Sequence, residues 1–293
     1  MSTDIRAAGV YDDVDDAEYF ADKLSLSQSG AKRLLEPSVP AKFLDWLENP
    51  EEPTEAMEFG SVVHKLVLGK GADIAVLEPD VHGLKVDGSV ADKPTATKTW
   101  RDAESQARAE GRIPIHIERF SKAQAMADEV FKHSLAGPLL TSPGKSEQSF
   151  YVRDPQTGVM LRGRTDRINF DFMGRLHIVD YKSALNASRE KFSYVAKDLR
   201  YYLQFAWYTT LAKLSGLCDD PAFVFVVQEK KSPYLVNVIE LDSEALDLGL
   251  RHMREAIDLY AKCMKANEWP GYDEVIHTVS LPLSAFPDEE IVI

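Results

Sequence analysis

Apolar positions recur with a helical period from Leu24 onward. In LSLSQSGAKRLLEPSVPAKFLDWLENP, residues 24–50, Ser27 is placed to cap a helix whose apolar stripe runs through Leu34 and Leu35. A proline break follows, then a second short helix to Trp46. EAMEFGSVVHKLVLGK, residues 55–70, turns Phe59, Val62, Val63, Leu66 and Val67 to one side and closes at Gly69. Residues 70–97, with DGSVADKPTATK, keep no period and read as a long loop, a kind that in compact domains is more often functional or disordered than idle. Two more helices are expected near 98–109 and 117–133.

The period then changes to two. EQSFYVRD, GVMLRGRTDRINF and RLHIVDYKS alternate apolar and polar positions and are separated by the turn signals DPQTG and FMG, which predicts an antiparallel meander. KFSYVAKDLRYYLQFAWYTTLAKLSG returns to helical spacing, PAFVFVVQEK and YLVNVIEL give two further strands, and residues 242–267 form a closing amphipathic helix. The order is helices, three strands, helix, two strands, helix, an α/β (α+β) arrangement. Residues 1–23, acidic and without period, read as a loosely attached arm. Residues 24–293 read as one domain, with a helical part over 24–135 and a core over 145–270.

The chain has 293 residues, 44% of them hydrophobic, enough for a substantial core. No run approaches the length of a membrane span and the N-terminus lacks a basic start with an apolar stretch, so a cytoplasmic protein is expected. Cys218 and Cys263 form no CxxC pair, which leaves no zinc ribbon, and two thiols cannot hold an iron–sulfur cluster unaided. No GxxxxGK[ST] loop is present, so no ATP is expected.

The net charge of −13 argues against a protein that coats nucleic acid, yet it is unevenly spread. Residues 145–200 hold eleven basic against seven acidic side chains, a net of +4, which leaves −17 elsewhere. A basic cleft in an acidic body can draw a polyanion to one place.

Within that window IVDYKS, residues 178–183, ends an apolar strand in an aspartate and a lysine. Leu176, Ile178, Asp180 and Lys182 share one face, as do Arg162, Arg164, Asp166 and Ile168 on the preceding strand. A hairpin through Gly174 would bring Asp166 and Asp180 together. Two carboxylates so placed call for a cation, and oxygen ligands suit Mg²⁺. Lys182 could then steady the attacking water or offset charge on a phosphate. A lone D-x-K also forms simple ion pairs on surface strands. Gln204 and Tyr208 lie one helical turn apart, His64 sits over Gly60, and Glu147 opens the first strand. Each of these also has an ordinary packing or capping reading.

Taken in order, Gly60–His64 (G-S-x-x-H), Glu147, Asp166, Asp180 with Lys182, and Gln204 with Tyr208 (Q-x-x-x-Y) resemble the PD-(D/E)XK nuclease superfamily, above all the exonuclease branch of the RecB nuclease domain and the RecE-type phage recombination exonuclease, exonuclease VIII. The opening SLSQSGAKRLLEPSVPAKF is similar to the S-x-S…P-x-x-F start of that branch, and the match covers roughly residues 24–265. The resemblance implies a restriction-endonuclease-like core, a mixed central sheet flanked by helices, with a helical N-terminal part. It implies His64, Asp166 and Asp180 as metal ligands with the Tyr181 carbonyl, Lys182 as catalytic lysine, and Glu147 assisting. Gln204 and Tyr208 would touch DNA or brace the site, and Arg162 and Arg164 would contact DNA. Expected cofactors are Mg²⁺, with Mn²⁺ as substitute. Expected partners are double-stranded DNA ends, a single-strand annealing protein, and further copies in a ring. Val39 stands where the iron–sulfur relatives carry a cysteine, so no cluster is expected. The activity implied is 5′-to-3′ exonuclease. An endonuclease of the same fold and a silent DNA-binding scaffold are the alternatives. Lys93, Lys98, Arg101 and Trp100 are further candidates for DNA contact.

Overall fold

The computed structural model of the protein describes residues 6–281. Its elements in chain order are β1 (Gly9–Tyr11), α1 (Asp16–Ala21), β2 (Leu26–Ser27), α2 (Gln28–Leu34), α3 (Pro40–Glu48), α4 (Glu55–Leu68), β3 (Ile74–Leu77), α5 (Pro79–His82), α6 (Lys98–Ala109), β4 (Ile113–His116), α7 (Ile117–Lys132), α8 (Ala136–Thr141), β5 (Gly144–Arg153), β6 (Met160–Phe172), β7 (Arg175–Ala184), α9 (Arg189–Asp198), α10 (Tyr201–Leu214), β8 (Ala222–Glu229), β9 (Val236–Ile239) and α11 (Ser243–Ala266). Caps account for many of the boundaries. Ser27 Oγ accepts the Gly30 amide at 3.1 Å to start α2, and Gly69, at φ 72°, ends α4.

The central sheet runs β1-β5-β6-β7-β8-β9, with β2 attached to β6, while β3 and β4 pair separately. The β5–β6–β7 meander is antiparallel, as its period-two pattern predicts, and β7–β8 is parallel, making the sheet mixed. At the β6–β7 hairpin Met173 and Gly174 both have positive φ, 54° and 77°, the sense that matches strand twist in a two-residue turn.

Alternation along the strands builds helix layers on both faces. Ile178, Phe223, Phe225 and Val227 pack against Phe192 and Ala196 of α9 and Ala212 of α10. Phe150, Leu161 and Ile168 continue that layer under Leu203, Trp207 and Leu211, with α11 behind. The opposite face carries Val179, Tyr181, Val224 and Val226 against Val62 and Val63 of α4 and Met126 and Val130 of α7. Tyr181 Oη donates to Gln228 Oε1 at 2.6 Å, and Gln228 Nε2 donates to the Met126 carbonyl at 2.8 Å, which satisfies buried polar groups and ties α7 to the sheet.

Several segments differ from the sequence expectation. The described part of the arm is built into the body: β1 pairs with β5, and Tyr19 of α1 is buried. The long helical stretch after residue 191 is two helices, because Arg200 takes φ 56° between α9 and α10. Residues 70–97 contain β3, α5 and a 3₁₀ turn at Pro94–Ala96. Trp100 is 1% exposed and donates its Nε1–H to Glu104, so it offers no surface to a base.

Candidate active site

The site forms where β6 forks. Its Leu161 and Arg162 pair with β2, while Arg167, Ile168 and Asn169 pair with β7, on the same edge. Between them the ladder opens. The register Arg167↔Val179 places Asp166 opposite Asp180, and on the other side Ser146↔Arg167 and Gln148↔Thr165 place Glu147 opposite Asp166. Three carboxylates thus form a row across three strands. The Tyr181 amide, left without a strand partner at the fork, donates to Asp166 Oδ2 at 2.8 Å. Glu147 holds φ 53° in mid-strand, a left-handed conformation that costs on the order of 1–3 kcal/mol.

His64, reaching in from α4, lies between two of these carboxylates. Its Nε2 is 3.2 Å from Asp166 Oδ1 and its Nδ1 is 3.7 Å from Glu147 Oε1. Burial works to lower the imidazole, and Asp166 and Glu147 outweigh it, so its pKa is raised. Lys182 Nζ is 2.6 Å from Asp180 Oδ2. The approach lacks hydrogen-bond geometry, and Oδ2 remains without a hydrogen-bond partner. Gln204 Nε2 donates to Asp180 Oδ1.

Burial raises Asp180 to about 6, against the pull of Lys182 and with the push of Asp166. Burial would also raise Asp166, but His64 and Lys182 prevail and its pKa is lowered. Burial raises Glu147. Lys182 is lowered by burial and raised more strongly by Asp180 and Asp166, so it stays an ammonium. Neighbouring carboxylates pushed in opposite directions, beside a held cation, mark a functional centre.

A cavity of about 650 Å³ opens onto the site, lined by His64, Glu147, Asp166, Lys182 and Tyr208 among others. Gly60, with no atom within 4 Å of a Cβ built on it, leaves its wall open above His64. Asp180 lies just beneath the floor, covered by Lys182 and Gln204.

A divalent cation fits this donor set. Asp180 Oδ2, ion-paired with Lys182 but without a hydrogen bond, the Asp166 carboxylate and the His64 imidazole are oxygen and nitrogen donors suited to Mg²⁺ or Mn²⁺. Among the described residues no three His, Cys, Asp or Glu side chains stand as a preassembled cage. The Lys182 ammonium supplies positive charge to the acidic row.

The predicted DNA-contacting residues fall into different places. Tyr208 lines the cavity, stacked on Phe223 at 6.1 Å. Gln204 is buried and braces Asp180, so it is no DNA contact here. Arg162 is also buried; its guanidinium donates to the Tyr19 carbonyl and lies 4.6 Å from the Tyr19 ring, closed to a phosphate. Arg164 lines the cavity but is held by Asp16 and by the Val14 carbonyl at 2.8 Å. The sequence reading misses this cover. Asp12 meets Lys145 at 2.5 Å and Asp13 meets Lys70 at 2.9 Å, so an acidic segment lies along the basic edge of the cleft. An acidic composition alone does not reveal such pairings, which depend on β1 adding to β5.

A sheet forked at an acidic row beside a lysine, between helix layers, is the architecture of the PD-(D/E)XK nuclease superfamily. The family model described as "PDDEXK-like domain of unknown function (DUF3799)" matches residues 27–281, and the chain belongs to that family. Among solved structures, a "putative exonuclease" from Eubacterium rectale aligns with TM-score 0.59 at 11% identity, over 93% of this chain and 97% of that one. At that identity the likeness speaks for the fold. SSO0001 aligns at TM-score 0.28 and 12% identity, over 70% of this chain and 85% of that one, too loosely to bear on it. No curated protein matches. Among the described residues no helix is long and apolar enough to cross a membrane.

Proposed function

We propose that the protein is a metal-dependent deoxyribonuclease that digests double-stranded DNA from its ends, 5′ to 3′, and leaves single strands for an annealing partner. The observation that carries this reading is the row Glu147–Asp166–Asp180 meeting His64 and Lys182 at one cavity, with Asp180 just beneath its floor. A superfamily of nucleases supports the chemistry, and the exonuclease-described structural neighbour favours action at ends.

His64, Asp166 and Asp180, with the Tyr181 carbonyl, would hold Mg²⁺ or Mn²⁺. Bound there, the cation would supply Lewis acidity to a phosphate oxygen and lower the pKa of water. Lys182 places an ammonium between Asp180 and the cavity, where it offsets charge that builds on the phosphate. Gln204 holds one oxygen of the Asp180 carboxylate and leaves the other to Lys182. Glu147, raised by burial, can take or give a proton at its carboxyl oxygens. Assembly of several copies into a ring around DNA belongs to the same proposal, and would let an acidic protein present a basic lining.

The test uses linear duplexes labelled at 5′ or 3′ and a closed circle, each with Mg²⁺ or Mn²⁺. The 5′ label is released first and the circle survives. Lys182→Ala loses about 10²–10³-fold in cleavage rate, the scale of removing one charge-stabilising donor, while end binding persists. A cut circle, or an unimpaired Lys182→Ala, overturns the reading.

A further inference from the structure

A second cavity, of about 450 Å³, opens on the far side of Lys182. Lys182 and Ser183 line both cavities, so the two adjoin at these side chains. One wall is α9, which carries Tyr194, with Leu199 just past its end, and the other is the loop after β7, which carries Leu185. Tyr201 lies at its floor, stacked on Phe225 at 5.4 Å, with Lys182 Nζ 5.0 Å from its ring.

The cavity is preformed. The Ala187 amide donates to Glu229 Oε1 at 3.1 Å, Asn237 Nδ2 donates to the Ala187 carbonyl at 2.9 Å, and the Lys230 amide donates to the Ala184 carbonyl at 2.9 Å. These bonds pin the loop that carries Leu185. The loop nonetheless leaves Leu185 79% exposed, and Tyr194 opposite it is 60% exposed. Large apolar groups gathered at a cavity mouth mark a contact surface.

Charge selects the occupant. Lys182, Lys191 and Lys230 line the cavity against one carboxylate, Asp198, in a protein of net charge −13. Lys182 is paired with Asp180 beneath it, whereas among the described residues neither Lys191 nor Lys230 is in an ion pair. A ligand with a flat apolar body and an anionic backbone fits, which describes a nucleotide. An unpaired base offers a free face that can stack on the exposed Tyr194 ring at little sequence cost, whereas a base inside a duplex has its faces covered by its neighbours.

We propose that this cavity receives unpaired nucleobases of the strand whose phosphate lies against Lys182, so that the protein engages a melted end. The proposal rests on the nuclease reading above for the position of the phosphate, and its recognition chemistry is aromatic stacking bordered by lysines.

The test compares blunt duplexes with duplexes frayed by two terminal mismatches and carrying 2-aminopurine at the frayed base. Binding is followed with Ca²⁺ and cleavage with Mg²⁺ or Mn²⁺. Leu185→Ser and Tyr194→Ala are exposed changes, and melting curves confirm the fold. In the wild type, binding of the frayed end alters the 2-aminopurine emission. In Tyr194→Ala that signal is lost and Kd and KM for the frayed end rise about 5- to 100-fold, the weight of one base stack, with kcat little changed. Wild-type constants in both variants on an actively cleaved substrate overturn the slot and leave the nuclease standing. Loss of the emission signal in Tyr194→Ala, in a protein that cleaves nothing with any metal, upholds the slot and removes the nuclease. A change in sedimentation with unaltered DNA binding shows that the face joins a second copy, and overturns the proposal.

Discussion

Replacing Asp180 by asparagine should make the metal-free protein more stable while ending its activity. The carboxylate is 4% exposed, and burial lifts its pKa from an ordinary 3.8 to about 6. That gap corresponds to ~3 kcal/mol of unfavourable ionisation in the folded state at pH 8. Because the folded pKa is the higher one, the favourable contribution of the protonated group is complete below pH 3.8 and is lost as pH rises through about 6. The substituted amide would carry no charge. Its oxygen can face Lys182 and its nitrogen can donate to a turned-over Gln204 amide, so no polar atom is orphaned. The pull of Lys182 on the ionised group is already contained in that gap, so the gain approaches ~3 kcal/mol, or roughly 5–10 °C in Tm for a chain of this size. Thermal melts in EDTA at pH 8 and pH 5 measure it. At pH 5 the wild-type aspartate is largely protonated, and the difference should shrink by about half. Adding Mg²⁺ or Mn²⁺ should raise the wild-type Tm and leave the variant unmoved. An Asp180→Asn protein no more stable than wild type at pH 8, or equally stabilised at both pH values, would refute the claim that ionised Asp180 is a burden carried for function.

Two further outcomes follow from packing and charge. A Cβ at Gly163 would meet Leu211 Cδ1 at 2.5 Å and Tyr208 Cε1 at 2.8 Å, so Gly163→Ala should cost about 1–3 kcal/mol and disturb Tyr208 at the cavity wall; calorimetry checks the first and cleavage the second. The triple change Asp12→Asn, Asp13→Asn and Asp16→Asn frees Lys145 and Lys70 and removes one partner of Arg164, which the Val14 carbonyl still holds; these exposed or rim pairs are worth little to the fold. DNA affinity at low salt should rise, and the slope of log K against log salt should steepen by about 2–3, one counterion for each freed cation. An unchanged slope in titrations would show that these cations never meet phosphate.

Much of the core can be read from period alone, since local alternation fixes which face a residue takes. The strands β5 to β9 and the helices α4, α6, α7 and α11 fall within a few residues of their sequence-derived ranges. Alternation and the Gly174 turn predict that Asp166 and Asp180 meet, and the register does place them opposite each other. What escapes the sequence is long-range or conformational. β1 and β2 are three and two residues long, too short for any period, and exist because neighbouring strand edges accept them. The break at Arg200 has no glycine or proline to announce it. Sequence reasoning puts Arg162 and Gln204 on the correct elements, but whether a side chain faces solvent or a covering segment depends on packing between parts of the chain far apart in sequence, as when Arg162 is closed off by Tyr19, 143 residues before it.

The fork in β6 has a wider consequence. Because one strand edge is divided between β2 and β7, the backbone there must diverge, and a gap in the ladder, where the Tyr181 amide turns to a side chain, arises from topology before any side chain is chosen. Relatives could therefore drift far in sequence and keep a pocket in the same place, needing only suitable groups at its rim. The location of chemistry in such a scaffold would be inherited from strand connectivity, while the particular reaction is left free to vary.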